Sequence, residues 1–159
     1  MTELLDIAVL DHGKGAHKDL RFQVYGLTAD LIFDSYYFAL AVEPLDTVAA
    51  VRECIAEYLE KWGRSIEGMG GGETRVLPID LSDEYVGCLR AVEDGEHLRL
   101  DYGRSFTGGW AISVNEPEQH FNAVAGFGAG TIEPLVVDRT SFLRSVYQCS
   151  RRLRNIWDD

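Results

Sequence analysis

The sequence predicts an α+β fold: a single domain, residues 1–159, with a largely antiparallel sheet of about six to eight strands and two main helices packed on it. A chain of 159 residues that is 46% hydrophobic can bury one sizeable core. Apolar and polar residues alternate in several short segments, as in half-buried strands. In two longer segments apolar residues recur every three or four positions, as in amphipathic helices.

The first third of the chain predicts three strands. Residues 4–10 are rich in Leu, Ile and Val, and residues 19–27 alternate apolar and polar side chains. Residues 31–42 are apolar almost throughout and contain three consecutive aromatic residues, which favours a central strand. The segment between the first two strands contains His12 and His17, but a metal site needs three or four converging ligands. We therefore interpret this segment as an exposed hairpin loop and predict no metal site.

A helix and a glycine-rich connector follow. The helix is predicted over residues 46–62, with Asp46 as its N-cap and an apolar stripe that ends at Trp62. Residues 66–75 include three consecutive glycines and are predicted to form a flexible connector.

The second half predicts more strands around a hairpin. Residues 75–81 form a strand that Pro78 restricts to a sheet edge. Residues 85–92 and 97–102 flank Asp94-Gly95, a strong hairpin signal.

The chain then predicts two further strands and a last helix. The strands cover residues 110–114 and 132–137, and the helix covers residues 139–157. Asp138 or Thr140 supplies its N-cap.

The cysteines and the N-terminus predict a cytoplasmic protein. Cys54, Cys88 and Cys149 lie far apart and form no C-x-x-C pair, so we expect buried thiols in a reducing compartment. The N-terminus has no basic start followed by a long apolar run, which argues against a signal peptide and a membrane anchor.

Charge is distributed unevenly along the chain. The formal charge is −11, and residues 139–159 carry five arginines and only two acids. The preceding part of the chain is therefore strongly acidic, which disfavours nucleic acid and favours a basic protein partner. We expect the last arginines to bind acids of the same chain or the end of their helix.

No local motif predicts catalysis or a cofactor. The chain has no G-x-S-x-G nucleophile motif and no P-loop spacing, and its glycine clusters do not lead from a strand into a helix. The sequence therefore favours a protein without catalytic activity and without a cofactor.

The hairpin offers one candidate site for an anionic small molecule. With Asp94-Gly95 as the turn, Arg90 pairs with Arg99, and His97 and Asp101 flank them on the solvent face. Two opposed guanidinium groups suit a carboxylate or phosphate. The alternative is structural: Asp101 and another acid neutralise the arginines. A small enzyme or ligand-binding domain would use these four residues.

Acidic clusters beside aromatic residues offer the other candidate site. Three acids precede the hairpin, three lie at its turn, and an aromatic residue follows it. The predicted partner-binding set is Asp80, Asp83, Glu84, Glu93, Asp94, Glu96 and Trp110. Such a surface suits a basic protein. We therefore expect a non-catalytic acidic interaction domain, similar in size and charge to bacterial immunity proteins that neutralise basic, nuclease-like toxins.

Overall fold

A computed structural model describes residues 3–10, 18–44, 47–122, 126–130 and 133–155. Within these ranges the chain forms eight strands in two antiparallel sheets and three α-helices, which confirms the α+β class. The buried apolar side chains of both sheets and of the helices belong to one core cluster.

The first sheet contains three strands in the order β1 (Leu5–Val9), β2 (Leu20–Val24) and β3 (Leu31–Phe33). Alternate side chains of β1 and β2 are buried, as the predicted strands over 4–10 and 19–27 require. The two strands pair antiparallel. The predicted hairpin loop with His12 and His17 lies outside the described residues.

The strand predicted over residues 31–42 is wrong after Phe33, because the chain continues as helix α1 (Tyr36–Val42). A buried carboxylate causes the change. Asp19 is fully buried, and its two carboxylate oxygens accept hydrogen bonds from the Ser35 amide at 2.8 Å and the Ser35 hydroxyl at 2.6 Å. These bonds fix the chain at the point where β3 ends and α1 begins.

Helix α2 (Val48–Glu67) starts near the predicted position and ends five residues later. The Thr47 hydroxyl caps it by accepting a hydrogen bond from the Ala50 amide at 3.1 Å. The predicted cap, Asp46, lies outside the described residues. The connector predicted over 66–75 is correspondingly shorter, because its ends belong to α2 and to the next strand. Its mobility stays a prediction.

The second sheet contains five strands: β4 (Thr74–Leu81), β5 (Val86–Asp94), β6 (His97–Ser105), β7 (Gly128–Ala129) and β8 (Leu135–Asp138). The order is β4-β5-β6-β7, and β8 also pairs with β6. Strand β4 lies at an edge, as Pro78 predicted. Residues 110–114 are not a strand. A short 3-10 helix, Gly109–Ala111, takes the chain away from the sheet, and the Gly109 amide bonds to the Ser82 carbonyl at 2.6 Å.

Helix α3 (Arg139–Asn155) begins directly after Asp138, one of its two predicted N-cap residues. The Asp138 carboxylate accepts hydrogen bonds from the Ser141 amide at 2.8 Å and from its hydroxyl at 2.9 Å. Helices α2 and α3 contact each other, while α3 also contacts β1 and β8 and α2 contacts β4. In the described part of the chain no helix is long and apolar enough to cross a membrane.

Two of the last arginines bind acids of the same chain, as predicted. Arg152 forms ion pairs with Glu3 and with Asp6, the latter at 3.0 Å. Arg154 pairs with Glu60 and with Glu53, at 3.0 Å for Glu53.

The three cysteines are buried free thiols, as predicted. Burial raises the pKa of Cys54 and Cys149 to about 11 and that of Cys88 to about 12. The thiolate form of each is therefore scarce at neutral pH, which argues against nucleophilic roles.

Candidate functional site, an acidic and aromatic groove

A groove of about 570 Å³ lies between α1 and the β4–β5 connection, and we refer to it below as the groove. Its lining combines carboxylates with aromatic rings. The lining residues are Asp34, Tyr36, Tyr37, Leu40, Leu81, Ser82, Asp83, Glu84 and Tyr85. Two of these residues, Asp83 and Glu84, belong to the partner-binding set that the sequence predicted.

Helix α1 and the residue before it form the first wall. Asp34 is held in place because its carboxylate accepts a hydrogen bond from the Lys18 amide at 2.7 Å. Tyr36 and Tyr37 make an edge-to-face contact with ring centroids 5.2 Å apart. This wall exists because the chain turns at Ser35 instead of continuing β3.

The β4–β5 connection forms the second wall. The Ser82 hydroxyl donates to the Tyr85 carbonyl at 2.7 Å, and the Ser82 amide bonds to the same carbonyl at 3.1 Å. These bonds close a tight turn whose two central residues, Asp83 and Glu84, are exposed. Both carboxylates are thus presented to solvent on a fixed backbone.

Tyr37 connects the two walls. Its hydroxyl donates to the Asp83 carboxylate at 2.5 Å. This hydrogen bond, together with desolvation and the negative charge of Asp83, raises the pKa of Tyr37 to about 12. The phenol therefore stays protonated and the bond persists across the physiological pH range.

Asp80 lies beside the groove, half-buried. The pKa of its carboxyl is raised to about 6, mainly by burial and to a lesser extent by nearby Asp34, while a hydrogen bond from Tyr85 and the charge of Arg104 oppose the shift. The Arg104 guanidinium lies over the Tyr85 ring, 4.4 Å from its centroid. The negative charge near the groove therefore increases as pH rises through about 6.

An aromatic loop, residues 106–110, lies against the second wall. Phe106 is 86% exposed and Trp110 is 74% exposed. Seven large apolar side chains are exposed in the described residues, and four of them line the groove or belong to this loop: Tyr36, Leu40, Phe106 and Trp110. Such clustering of exposed apolar side chains is typical of binding surfaces.

The predicted partner-binding residues fall at two opposite ends of the second sheet. Asp80, Asp83, Glu84 and Trp110 lie at or beside the groove. Glu93, Asp94 and Glu96 lie at the β5–β6 turn, and the eight residue steps of β5 put this turn roughly 25 Å from the groove. We refer to this second region as the hairpin tip.

Hydrogen bonds at the hairpin tip already occupy its central carboxylate. Glu93 is only 8% exposed, and its carboxylate accepts a hydrogen bond from the Gly72 amide at 2.9 Å. Its backbone amide also bonds to the Glu73 carbonyl at 3.0 Å. Glu93 therefore fastens the α2–β4 connection to the hairpin, while Asp94 and Glu96 are exposed.

The predicted register of the hairpin is wrong. Asp94 pairs with His97, so the turn residues are Gly95 and Glu96, and Gly95 adopts a φ of 67°. Glycine accepts this left-handed conformation at little cost, so it takes the first turn position instead of the second. The shift keeps each side chain on its predicted face but changes every partner.

The candidate anion site changes accordingly. Arg90 lies opposite Asp101, not Arg99, and the two form an ion pair at 2.8 Å. The Arg90 guanidinium also lies over the Phe127 ring, 4.9 Å from its centroid. Arg99 and His97 are exposed on the same strand, and neither lines the groove. The two opposed guanidinium groups that the predicted anion site required are therefore not present in this hairpin.

Sequence reasoning missed the first wall of the groove. Asp34, Tyr36 and Tyr37 were assigned to a strand, so their convergence with Asp83 and Glu84 was not predicted. A signal was present: serine is a favoured N-cap residue, and Ser35 directly precedes the helix.

Neither a search for metal-binding residues nor comparison with known proteins assigns a function to the groove. No group of three or more His, Cys, Asp or Glu residues in the described ranges could hold a metal ion. No protein-family model, curated protein or solved structure matches the chain.

Proposed function

We propose that this protein is a non-catalytic acidic interaction domain that binds a basic partner protein at the groove. The observation that carries the proposal is the convergence of Asp34, Asp83 and Glu84 with three tyrosines in one concave surface. Carboxylates attract Lys and Arg side chains, and the rings of Tyr36 and Tyr37 add cation–π contacts once these cations are partly desolvated, while the Tyr85 ring already lies under Arg104.

The strongly negative chain supports the same conclusion. A formal charge of −11 accelerates association with a positively charged protein and repels nucleic acid. Immunity-type inhibition of a basic toxin in the cytoplasm is the biological role that fits these properties best. In that role the domain covers a positively charged functional surface of the toxin.

The test is affinity capture from the native cell with matched charge reversals. The bait is the unaltered chain, a groove variant (Asp83→Lys with Glu84→Lys) or a tip variant (Asp94→Lys with Glu96→Lys). Both variants change the net charge equally, and all four positions are exposed. Circular dichroism and thermal melting check that each variant is folded.

We expect the unaltered chain and the tip variant to retain a stoichiometric basic protein, and the groove variant to lose it. Retention should also weaken as salt concentration rises, because salt screens the attraction between exposed charges. If no basic protein is captured in stoichiometric amount, or if both variants lose it equally, the proposed function is wrong.

A further inference from the structure

The aromatic loop provides a second binding element next to the groove. Phe106 and Trp110 are large apolar side chains that remain mostly exposed, at 86% and 74%. Aromatic residues, tryptophan above all, contribute much of the binding energy in protein interfaces when a partner covers them. Their exposure in the isolated chain leaves this energy available for a partner.

The loop is held in place by its backbone. The Gly109 amide bonds to the Ser82 carbonyl at 2.6 Å, and the Thr107 amide bonds to the buried Ser105 hydroxyl at 3.3 Å. The loop therefore forms a fixed projection, and less conformational entropy is lost when a partner covers it.

Two glycines allow the loop to approach the groove closely. A Cβ atom at Gly108 would lie 2.8 Å from the Asp83 carbonyl oxygen, and one at Gly109 would lie 2.8 Å from the Leu81 carbonyl carbon. Such distances are too short for real atoms, so only glycine permits this packing. The close packing sets the loop backbone directly beside Asp83, with the Trp110 ring against Gly108.

The start of the loop lies beside the same wall. Ser105 is the register partner of Val86, so the chain leaves the sheet at Phe106 next to Tyr85. Apolar contact area and carboxylates therefore belong to one continuous surface.

We propose that this surface binds a partner segment in which Lys or Arg residues flank exposed apolar residues. The groove takes the cationic side chains, and Phe106 and Trp110 pack on the apolar ones. This inference rests on the proposed function and adds the apolar requirement. A second copy of the chain is a poor occupant, because it would bring further carboxylates to Asp34, Asp83 and Glu84.

Two synthetic peptides test the inference. Each has twelve residues and four lysines, and two central positions are glycine in one peptide and leucine in the other. Binding to the unaltered chain, to a Phe106→Ala, Trp110→Ala variant and to the groove variant is measured by NMR titration. Size-exclusion chromatography of the free proteins reports on self-association.

We expect the leucine peptide to bind the unaltered chain about tenfold more tightly than the glycine peptide, since part of each leucine side chain leaves water. The Phe106→Ala, Trp110→Ala variant should lose this advantage while it still binds the glycine peptide. If the groove variant binds neither peptide, this result supports a single surface formed by the groove and the aromatic loop.

The contrary outcomes separate the two proposals. Equal affinity of both peptides for the unaltered chain overturns the apolar requirement but leaves the proposed function in place. Failure of the glycine peptide to bind contradicts the groove as a cation site and hence both proposals. The unaltered chain could also self-associate while the Phe106→Ala, Trp110→Ala variant does not. That result would assign the loop to contacts between copies of the chain and would overturn the inference.

Discussion

The groove and the hairpin tip contain the same kinds of residue, acids in and around tight turns, but they use them differently. At the hairpin tip, Glu93 is buried and bonded to the Gly72 amide. At the groove, Asp83 and Glu84 are exposed on a turn that other groups hold closed. The acids of the groove turn stay available to a partner because the Ser82 hydroxyl and amide, and not their own carboxylates, close that turn.

One buried carboxylate supports each region. Asp19 fixes the start of α1 and so the first wall of the groove, while Glu93 fixes the connection at the hairpin tip. Four predictions test these assignments and the properties of the groove, from the largest expected effect to the smallest.

The largest effect is expected for Asp19→Ala. This change leaves the buried amide and hydroxyl of Ser35 without their acceptors, which should lower the free energy of unfolding by about 3 kcal/mol. Chemical denaturation gives the value. Tyr36 and Tyr37 should also lose their fixed environment in NMR spectra. Asp30→Ala, at an exposed position, is the control; a loss as small as the control's would refute the role of Asp19.

The next effect is expected for Glu93→Ala, which should lower the free energy of unfolding by about 2 kcal/mol, because the part-buried hydrogen bond from the Gly72 amide to the Glu93 carboxylate is lost. Glu84→Ala, at an exposed position of the groove turn, should change the free energy of unfolding by less than about 0.5 kcal/mol. Urea denaturation of both variants measures the difference. Similar losses for the two would remove the distinction between the groove and the hairpin tip.

A smaller effect concerns pH. Since folding raises the pKa of Asp80 from 3.8 to about 6, the folded state binds the proton more tightly than the unfolded chain does. Stability should therefore fall as pH rises between these two values, by roughly 1 kcal/mol for this partly exposed group. Asp80→Asn should flatten this part of the pH profile. Thermal melting from pH 3.5 to 7 checks it, and an unchanged slope would contradict the assignment.

The smallest effect is expected for Tyr37→Phe. The bond from Tyr37 to Asp83 is exposed, so its loss should cost about 0.5 kcal/mol or less. Without the phenol, Asp83 is freer to bind cations, and the glycine peptide should bind equally well or slightly more tightly. NMR titration measures this affinity. A large loss of affinity would instead mean that the tyrosine hydroxyl itself contacts the ligand.

Periodicity predicted most of the fold. The strands β1 and β2, the helices α2 and α3, the edge position of β4 and the hairpin of β5 and β6 all follow from patterns within short segments. Each of these segments buries one face of its own, and the spacing of its apolar residues shows which face that is. The spacing is therefore enough to predict the type and approximate bounds of the element. The faces of the hairpin were also predicted, since the register shift preserved them.

Details that depend on distant residues were not predictable. Three consecutive aromatic residues favour a strand on propensity alone, yet Asp19, sixteen positions before Ser35, imposes a helix start. Likewise, the choice of Gly95-Glu96 over Asp94-Gly95 as turn moved Arg90 from Arg99 to Asp101. The Asp19 carboxylate acts from another strand, and the left-handed backbone of Gly95 sets its place in the turn, so the alternation within a segment predicts neither outcome.

The sequence by itself determined the fold class, the acidic charge and the burial of the cysteines. It also singled out the acids of the β4–β5 connection and Trp110 of the aromatic loop. Only the tertiary structure decided that Asp34, Tyr36 and Tyr37 meet Asp83 and Glu84 in one groove, and that Glu93 is buried and bonded to the Gly72 amide. The physical reason is that composition and periodicity act locally. A concave site, by contrast, requires a turn fixed by a buried hydrogen bond and side chains from segments nearly fifty residues apart, as in the bond from Tyr37 to Asp83.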